Sequence, residues 1–127
     1  MAAAALVLIV DDVTDNREAY AEYLRFRGFR TLEAGTGREG IATSREHHPD
    51  VLLLDMRLPD IDGREVSRVV RADPSLQHTK IVAVSASVFP ADVAAALEAG
   101  CHVFLQKPCL PDALVTEIER LLAQPVP

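Results

Sequence analysis

The chain has 127 residues, enough for one compact domain with a buried core. Its formal charge of -6 argues against direct nucleic-acid binding, because neutralising backbone phosphates needs clustered Lys and Arg. No apolar run approaches the ~20 residues of a membrane helix, and the apolar opening lacks a signal peptide's basic leader. Two cysteines, Cys101 and Cys109, favour a reducing compartment over a disulfide framework. We therefore expect a cytoplasmic protein without a membrane segment.

Five short apolar runs alternate with helical patterns along the chain. Three of the runs are nearly all aliphatic, which is typical of strands covered on both faces. The predicted strands are Ala5–Val10, Phe29–Glu33, Val51–Leu54, Ile81–Val84 and His102–Leu105.

Each intervening segment has a helix start or stop signal: a cap residue, a first-turn proline or a terminal glycine. In the last helix we predict a buried stripe of Leu114, Ile118, Leu121 and Leu122. The predicted helices are Thr14–Arg27, one from the capping box Thr36–Glu39 to Pro49, one from Asp62, one from Pro90 to Gly100, and one from Pro111.

Five repeated βα units predict a doubly wound α/β fold with a parallel five-stranded sheet. Right-handed crossovers leave few strand orders, of which the flavodoxin-like 2-1-3-4-5 is favoured. We expect one domain over residues 1–124, with 125–127 as a tail or the start of a linker.

Polar residues follow the strands that are adjacent in this order. Asp11 and Asp12 follow the first strand, Asp55 the third, Ser85 the fourth and Lys107 the fifth. Ligands of open α/β sheets bind beyond the carboxyl ends of the strands, so these side chains should converge. Two carboxylates ~4 Å apart repel by ~4 kcal/mol at an effective dielectric of ~20, so a proton or a cation must compensate. An all-oxygen ligand set favours Mg²⁺.

The same residues match the needs of phosphoryl transfer. Mg²⁺ neutralises and aligns a phosphoryl group, and a carboxylate such as that of Asp55 can act as the nucleophile. Lys107 supplies a point charge for one phosphoryl oxygen, and the Ser85 hydroxyl can donate to another. The pattern therefore indicates phosphorylation of Asp55.

The chain resembles a response-regulator receiver domain of bacterial two-component signalling, chemotaxis-regulator-like, over essentially its whole length. Each matching motif alone occurs often by chance. The presence of all of them, in order, at the ends of four strands is specific to this family. The motifs are Val10-Asp11-Asp12, Leu54-Asp55-Met56 with Pro59 and Asp62-Gly63, Val84-Ser85-Ala86, and Gln106-Lys107-Pro108.

This resemblance implies a phosphoacceptor switch of a two-component or phosphorelay system. Asp55 would take a phosphoryl group from a histidine kinase or a histidine phosphotransfer protein. The magnesium ligands would be Asp11, Asp12, Asp55 and the backbone carbonyl of Arg57. The domain would catalyse its own phosphorylation and dephosphorylation without being a turnover enzyme.

The resemblance also implies a switch pair, Ser85 and Phe104. Ser85 would move toward the phosphate and the ring of Phe104 would turn inward. The face made by helix 4, strand 5 and helix 5 would then change for an effector domain or a second copy to bind. An ordinary packing role for Phe104 stays open, as does the cis or trans state of Lys107-Pro108, although the resemblance favours cis.

Arg57, two positions after the acceptor, occupies a position that varies in the family. We predict that its cationic side chain alters the lifetime of phospho-Asp55. One alternative function is a degenerate receiver that never binds phosphate, but the complete set of acids, Ser85 and Lys107 opposes it. The other is a Mg²⁺ phosphohydrolase, which Arg57 opposes because such enzymes usually carry a second acid at that position.

Overall fold

The computed structural model describes residues 4–87 and 89–124. The expected tail, 125–127, lies outside them. The predicted boundaries agree with the structure within two residues, whereas a 3₁₀ turn at Pro74–Leu76 was not predicted. The elements in chain order are β1 Leu6–Val10, α1 Thr14–Phe26, β2 Arg30–Ala34, α2 Gly37–His47, β3 Val51–Asp55, α3 Gly63–Ala72, β4 Lys80–Ser85, α4 Pro90–Glu98, β5 Val103–Gln106 and α5 Pro111–Leu122.

The five strands form one parallel sheet in the order β2-β1-β3-β4-β5, which confirms the predicted doubly wound, flavodoxin-like fold. Successive residues of β1 face opposite apolar layers: Val7 packs with α1 and α5, and Leu8 with α2, α3 and α4. The central strands β1, β3 and β4 are consequently buried along their whole length. In the part of the chain described, no helix combines the length and apolarity that a bilayer crossing requires.

Side-chain hydrogen bonds explain where α2 and α3 begin. The Thr36 hydroxyl accepts from the Glu39 amide at 3.1 Å, and the Asp62 carboxylate accepts from the Arg64 amide at 2.8 Å. His48 adopts a left-handed conformation, φ 48°, at the end of α2. Thr36 and Asp62 therefore act as the N-caps of α2 and α3, as predicted.

The predicted buried stripe of α5 is wrong at Leu122, which is 37% exposed. The buried residues of this helix are instead Leu114, Val115, Ile118 and Leu121. Leu122 has a suitable helical spacing, but it is the last residue of α5 and the following two residues are also exposed. The last residue of α5 therefore lies beyond the hydrophobic core.

His102, just before the edge strand β5 that leads to Lys107, forms a reciprocal pair of hydrogen bonds with Ile81 of β4. The His102 amide donates to the Ile81 carbonyl at 2.8 Å, and the Ile81 amide donates to His102 Nδ1 at 2.9 Å. Nδ1 can accept only when it is unprotonated. Burial, together with the positive charges of Arg71 and Lys80, lowers the pKa of His102 from 6.5 to about 4.

This lowered pKa predicts an acid-sensitive contribution to stability. Because folding favours neutral His102, the contribution is complete above pH 6.5 and is lost as the pH falls toward 4. The shift corresponds to about 3 kcal/mol at most, and screening of this partly exposed ring reduces it to about 1 kcal/mol. Urea unfolding of wild type and His102→Asn at pH 7 and pH 5 measures the difference. Asn keeps an acceptor at the same position without titrating, so an equal loss in both proteins would contradict the prediction.

Candidate functional site: an acidic cluster with a lysine

Three carboxylates meet at the carboxyl ends of β1 and β3. Asp11 and Asp12 follow β1, and Asp55 closes the adjacent strand β3. Each residue places a carboxylate oxygen within 4.8 Å of the other two. Asp11 and Asp55 are buried, at 3% and 6% exposure, whereas Asp12 is exposed. The cluster is therefore open to ligands on the Asp12 side.

Lys107 extends from the end of β5 into this cluster. Its Nζ lies 2.8 Å from Asp55 Oδ2 and 3.6 Å from Asp11 Oδ2. The Lys107 amide donates to the Ser85 carbonyl at 2.8 Å, and the peptide bond to Pro108 is cis. Burial lowers the pKa of Lys107, but the hydrogen bond that its ammonium donates to Asp55 and the charges of the nearby carboxylates outweigh burial and raise the pKa overall. The ammonium group therefore stays charged.

The charges of the cluster do not balance. Burial is the main cause that raises the pKa of Asp11, and the negative charges of Asp55 and Asp12 add to it. The hydrogen bond from the Val13 amide and the charge of Lys107 act in the opposite direction but do not cancel the rise. One ammonium faces three carboxylates, so the cluster carries excess negative charge. Its all-oxygen donor set fits a hard divalent cation such as Mg²⁺.

The loop after β3 is held close to the acceptor by backbone contacts. The Arg57 amide donates to Asp55 Oδ1 at 2.9 Å, and the Gly63 amide donates to the Met56 carbonyl at 3.2 Å. A Cβ on Gly63 would lie 2.7 Å from both the Asp55 carbonyl oxygen and Met56 Cα. Glycine therefore allows α3 to begin directly against the acceptor's backbone. The sequence marked Gly63 as part of a motif but did not reveal this close approach.

A second contact of this loop was missed by sequence reasoning. The Asp60 carboxylate accepts from the Gly37 and Arg38 amides at 2.8 and 2.9 Å, and so caps the first turn of α2. The hydrogen bond from the Arg38 amide is the main cause that lowers the pKa of Asp60, and the bond from the Gly37 amide adds to it. Partial desolvation of the carboxylate acts in the opposite direction but is outweighed. This bond joins residues 23 positions apart, and no local pattern signals it.

A cleft of about 460 Å³ lies beside the cluster, between the loops that follow β3 and β4. Ser85, Phe104 and Arg57 all line it. Ser85 is buried, and its hydroxyl oxygen accepts from the Ser87 amide at 3.1 Å, whereas Phe104 is half-buried. The Arg57 side chain is exposed and forms no ion pair within residues 4–87 and 89–124. The structure thus brings these three predicted residues to one cleft, while their roles stay predictions.

The fold and the site define the class of protein: a flavodoxin-like α/β domain with an acidic cluster at the carboxyl edge of its sheet. The family model described as "Response regulator receiver domain" matches residues 7–119. The chain belongs to this family, as the resemblance indicated. Receiver domains act with histidine kinases in two-component signalling, and they are signalling switches rather than turnover enzymes.

Individual relatives agree with this assignment. The polar-differentiation response regulator DivK of Brucella ovis is 32% identical over 102 residues, which are 80% of this chain and 83% of DivK. The structure of chemotaxis protein CheY4 of Vibrio cholerae has a TM-score of 0.89 and 28% identity, covering 94% of this chain and 99% of that one. The receiver domain of a sensor histidine kinase from Pseudomonas aeruginosa has a TM-score of 0.88 and 27% identity, covering 96% and 100%. That structure has a magnesium ion coordinated in its active-site cleft.

The charge imbalance predicts that Mg²⁺ stabilises the fold through Asp12 and Asp55. At ten times its dissociation constant, a bound ion adds about 1.4 kcal/mol to the free energy of unfolding. Thermal unfolding with Mg²⁺ and with EDTA measures this gain. We expect Asp12→Asn and Asp55→Asn to lose most of it, and Asp15→Asn, which removes a charge outside the cluster, to keep it. An equal gain in Asp12→Asn and Asp15→Asn would contradict a metal site at the cluster.

Proposed function

We propose that this receiver domain is a phosphoacceptor switch in which Asp55 accepts a phosphoryl group from a phosphohistidine partner in a Mg²⁺-dependent reaction. The observation that carries the proposal is the placement of Asp55 beside the acids Asp11 and Asp12 and in contact with the ammonium of Lys107. A buried carboxylate that is already paired with a fixed cation is prepared for a reaction that brings in more negative charge.

The transfer step uses groups that the chain supplies. A carboxylate oxygen of Asp55 forms a bond to phosphorus while the phosphorus–nitrogen bond of the partner's phosphohistidine breaks. The electron pair of that bond stays on the imidazole, which takes a proton from solvent. Lys107, 2.8 Å from Asp55 Oδ2, can then pair with a phosphoryl oxygen in place of the carboxylate charge.

The metal ligands in this proposal are Asp11, Asp12, Asp55 and the backbone carbonyl of Arg57. Bound Mg²⁺ supplies charge neutralisation for the phosphoryl oxygens. The Arg57 amide already bonds Asp55 Oδ1 at 2.9 Å, so this residue lies next to the acceptor carboxylate. Magnesium in the active-site cleft of the Pseudomonas aeruginosa receiver domain supports the choice of ion.

The partner in this proposal is a histidine kinase or a histidine phosphotransfer protein, and the domain catalyses its own phosphorylation and dephosphorylation. Signal readout would use Ser85 and Phe104. Movement of the Ser85 hydroxyl toward a phosphoryl group would break its bond with the Ser87 amide at the start of the loop to α4. The face formed by α4, β5 and α5 would then change for an effector domain or a second copy. A cytoplasmic location is part of the proposal and remains a prediction.

A small phosphodonor tests the acceptor directly. Incubation with acetyl phosphate and Mg²⁺ should add ~80 Da by intact mass, the increment of one phosphoryl group. Asp55→Asn should abolish the gain, as should EDTA. Asp62→Asn is a matched control, because Asn also caps a helix and leaves the cluster intact. No gain with wild type would favour a degenerate receiver that acts only by binding.

The position of Arg57 predicts an effect on the lifetime of phospho-Asp55. Its exposed guanidinium lines the cleft beside the acceptor, so it can pair with a phosphoryl oxygen and hinder the approach of water. We expect Arg57→Ala to shorten the half-life of the phosphorylated domain by more than about twofold. The effect should be modest, because an exposed ion pair contributes much less free energy than a buried one. Intact mass after removal of donor measures the decay. Arg68→Ala, which removes an arginine paired with Glu65 on α3, should leave it unchanged.

A half-life of Arg57→Ala within twofold of wild type would contradict a role for this side chain in phosphate lifetime. It would leave phosphate acceptance by Asp55 untouched.

A further inference from the structure

Arg17 of α1 forms a bridge between the acidic turn after β1 and the end of β2. Its Nη1 donates to the backbone carbonyl of Asp11 at 2.8 Å, and its Nε donates to Glu33 Oε1 at 3.2 Å. The side chains of Arg17 and Glu33 are only 18% and 33% exposed, so the pair is partly shielded from solvent. Glu33 lies near the end of β2, beside the acidic turn after β1.

With this bridge, three of the four hydrogen-bonding groups of Asp11 have a fixed partner. Its amide donates to the Ala34 carbonyl at 3.1 Å, its Oδ1 accepts from the Val13 amide at 2.9 Å, and its carbonyl accepts from Arg17. The remaining group, Oδ2, faces the cluster 3.6 Å from Lys107. The carbonyl that Arg17 binds belongs to the peptide bond between Asp11 and Asp12. This contact therefore also restrains the backbone of Asp12.

We infer that Arg17, oriented by Glu33, is a positioning residue for the divalent-cation site. It holds the Asp11–Asp12 peptide so that both carboxylates are directed at one ion. The inference rests on the proposed function, because the ion is the one that Asp55 would use. Outer contacts of this kind commonly set the affinity of a metal site, since they remove the cost of ordering its ligands.

Two effects of Arg17 on Mg²⁺ affinity have opposite signs. As a cation near the cluster it repels the ion, so a purely electrostatic role predicts tighter binding when the charge is removed. As a positioning residue it orders the acidic turn, so its loss predicts weaker binding. The direction of the change therefore separates the two roles.

Isothermal titration of the full chain with MgCl₂ tests the inference. We expect Arg17→Gln, which removes the charge and the double contact, to raise the dissociation constant about tenfold. Arg17→Lys keeps the charge but has no planar fork, and it should also bind more weakly than wild type. Glu33→Gln should show a smaller increase. Arg25→Gln removes an arginine of the same helix that bonds Thr31 instead, and it should bind like wild type.

A second readout separates positioning from chemistry. In Arg17→Gln the Mg²⁺ concentration needed for half-maximal phosphorylation should rise, while the rate at saturating Mg²⁺ should recover. Unchanged or tighter Mg²⁺ binding in Arg17→Gln would overturn the inference, and wild type without Mg²⁺ binding would overturn the proposed function instead. Unfolding in EDTA checks the fold of each variant. If Arg17→Gln does not fold, unchanged binding in both Arg17→Lys and Glu33→Gln overturns the inference.

Discussion

The site depends on one electrostatic constraint: three carboxylates lie within 4.8 Å of one another and face a single ammonium. The sheet imposes this arrangement. Because β1 and β3 are adjacent and parallel, their carboxyl ends bring Asp11, Asp12 and Asp55 to the same edge. Lys107 comes from two strands further along, and it reaches Asp55 because the chain after β5 is bonded to the end of β4. The repulsion is therefore built into the fold, and binding of a cation relieves it.

Keeping such a cluster folded requires bonds that hold each acid without consuming all of its oxygens. Backbone amides do most of this: Val13 binds one oxygen of Asp11, and Arg57 binds one oxygen of Asp55. Amides carry no net charge, so they anchor the carboxylates without neutralising them. The loop after β3 is held by the contact of Gly63 with Met56, and by Asp60, which caps α2. The surrounding structure thus orders the two buried acids, Asp11 and Asp55, and leaves their charge available.

The fold was predictable because its signals are local. Apolar runs and caps require only neighbouring residues, and they predicted the strands and every helix start to within one residue. The handedness of the crossover connections between these elements then favoured the observed strand order. The contacts that were missed join distant segments, such as Asp60 with Gly37 and Arg17 with Glu33. Leu122 failed for a related reason, because helical spacing shows which face is buried but not where the core ends. Composition and spacing cannot predict which polar side chains from distant parts of the sequence will contact each other in the fold.

The same distinction applies within the site. The convergence of the acids and Lys107 could be predicted because residue type and position at a strand end are enough to indicate it. Two arginines lie close to these acids without belonging to the cluster: Arg57 lines the cleft, and Arg17 bonds the Asp11 carbonyl. On the proposed function, a guanidinium in the cleft acts on the phosphorylated state, whereas one bonded to the Asp11 carbonyl acts on the ion-binding state. On this proposal the two arginines would influence different steps, so the duration of the signal and its magnesium requirement could be changed separately by mutation without altering the acceptor.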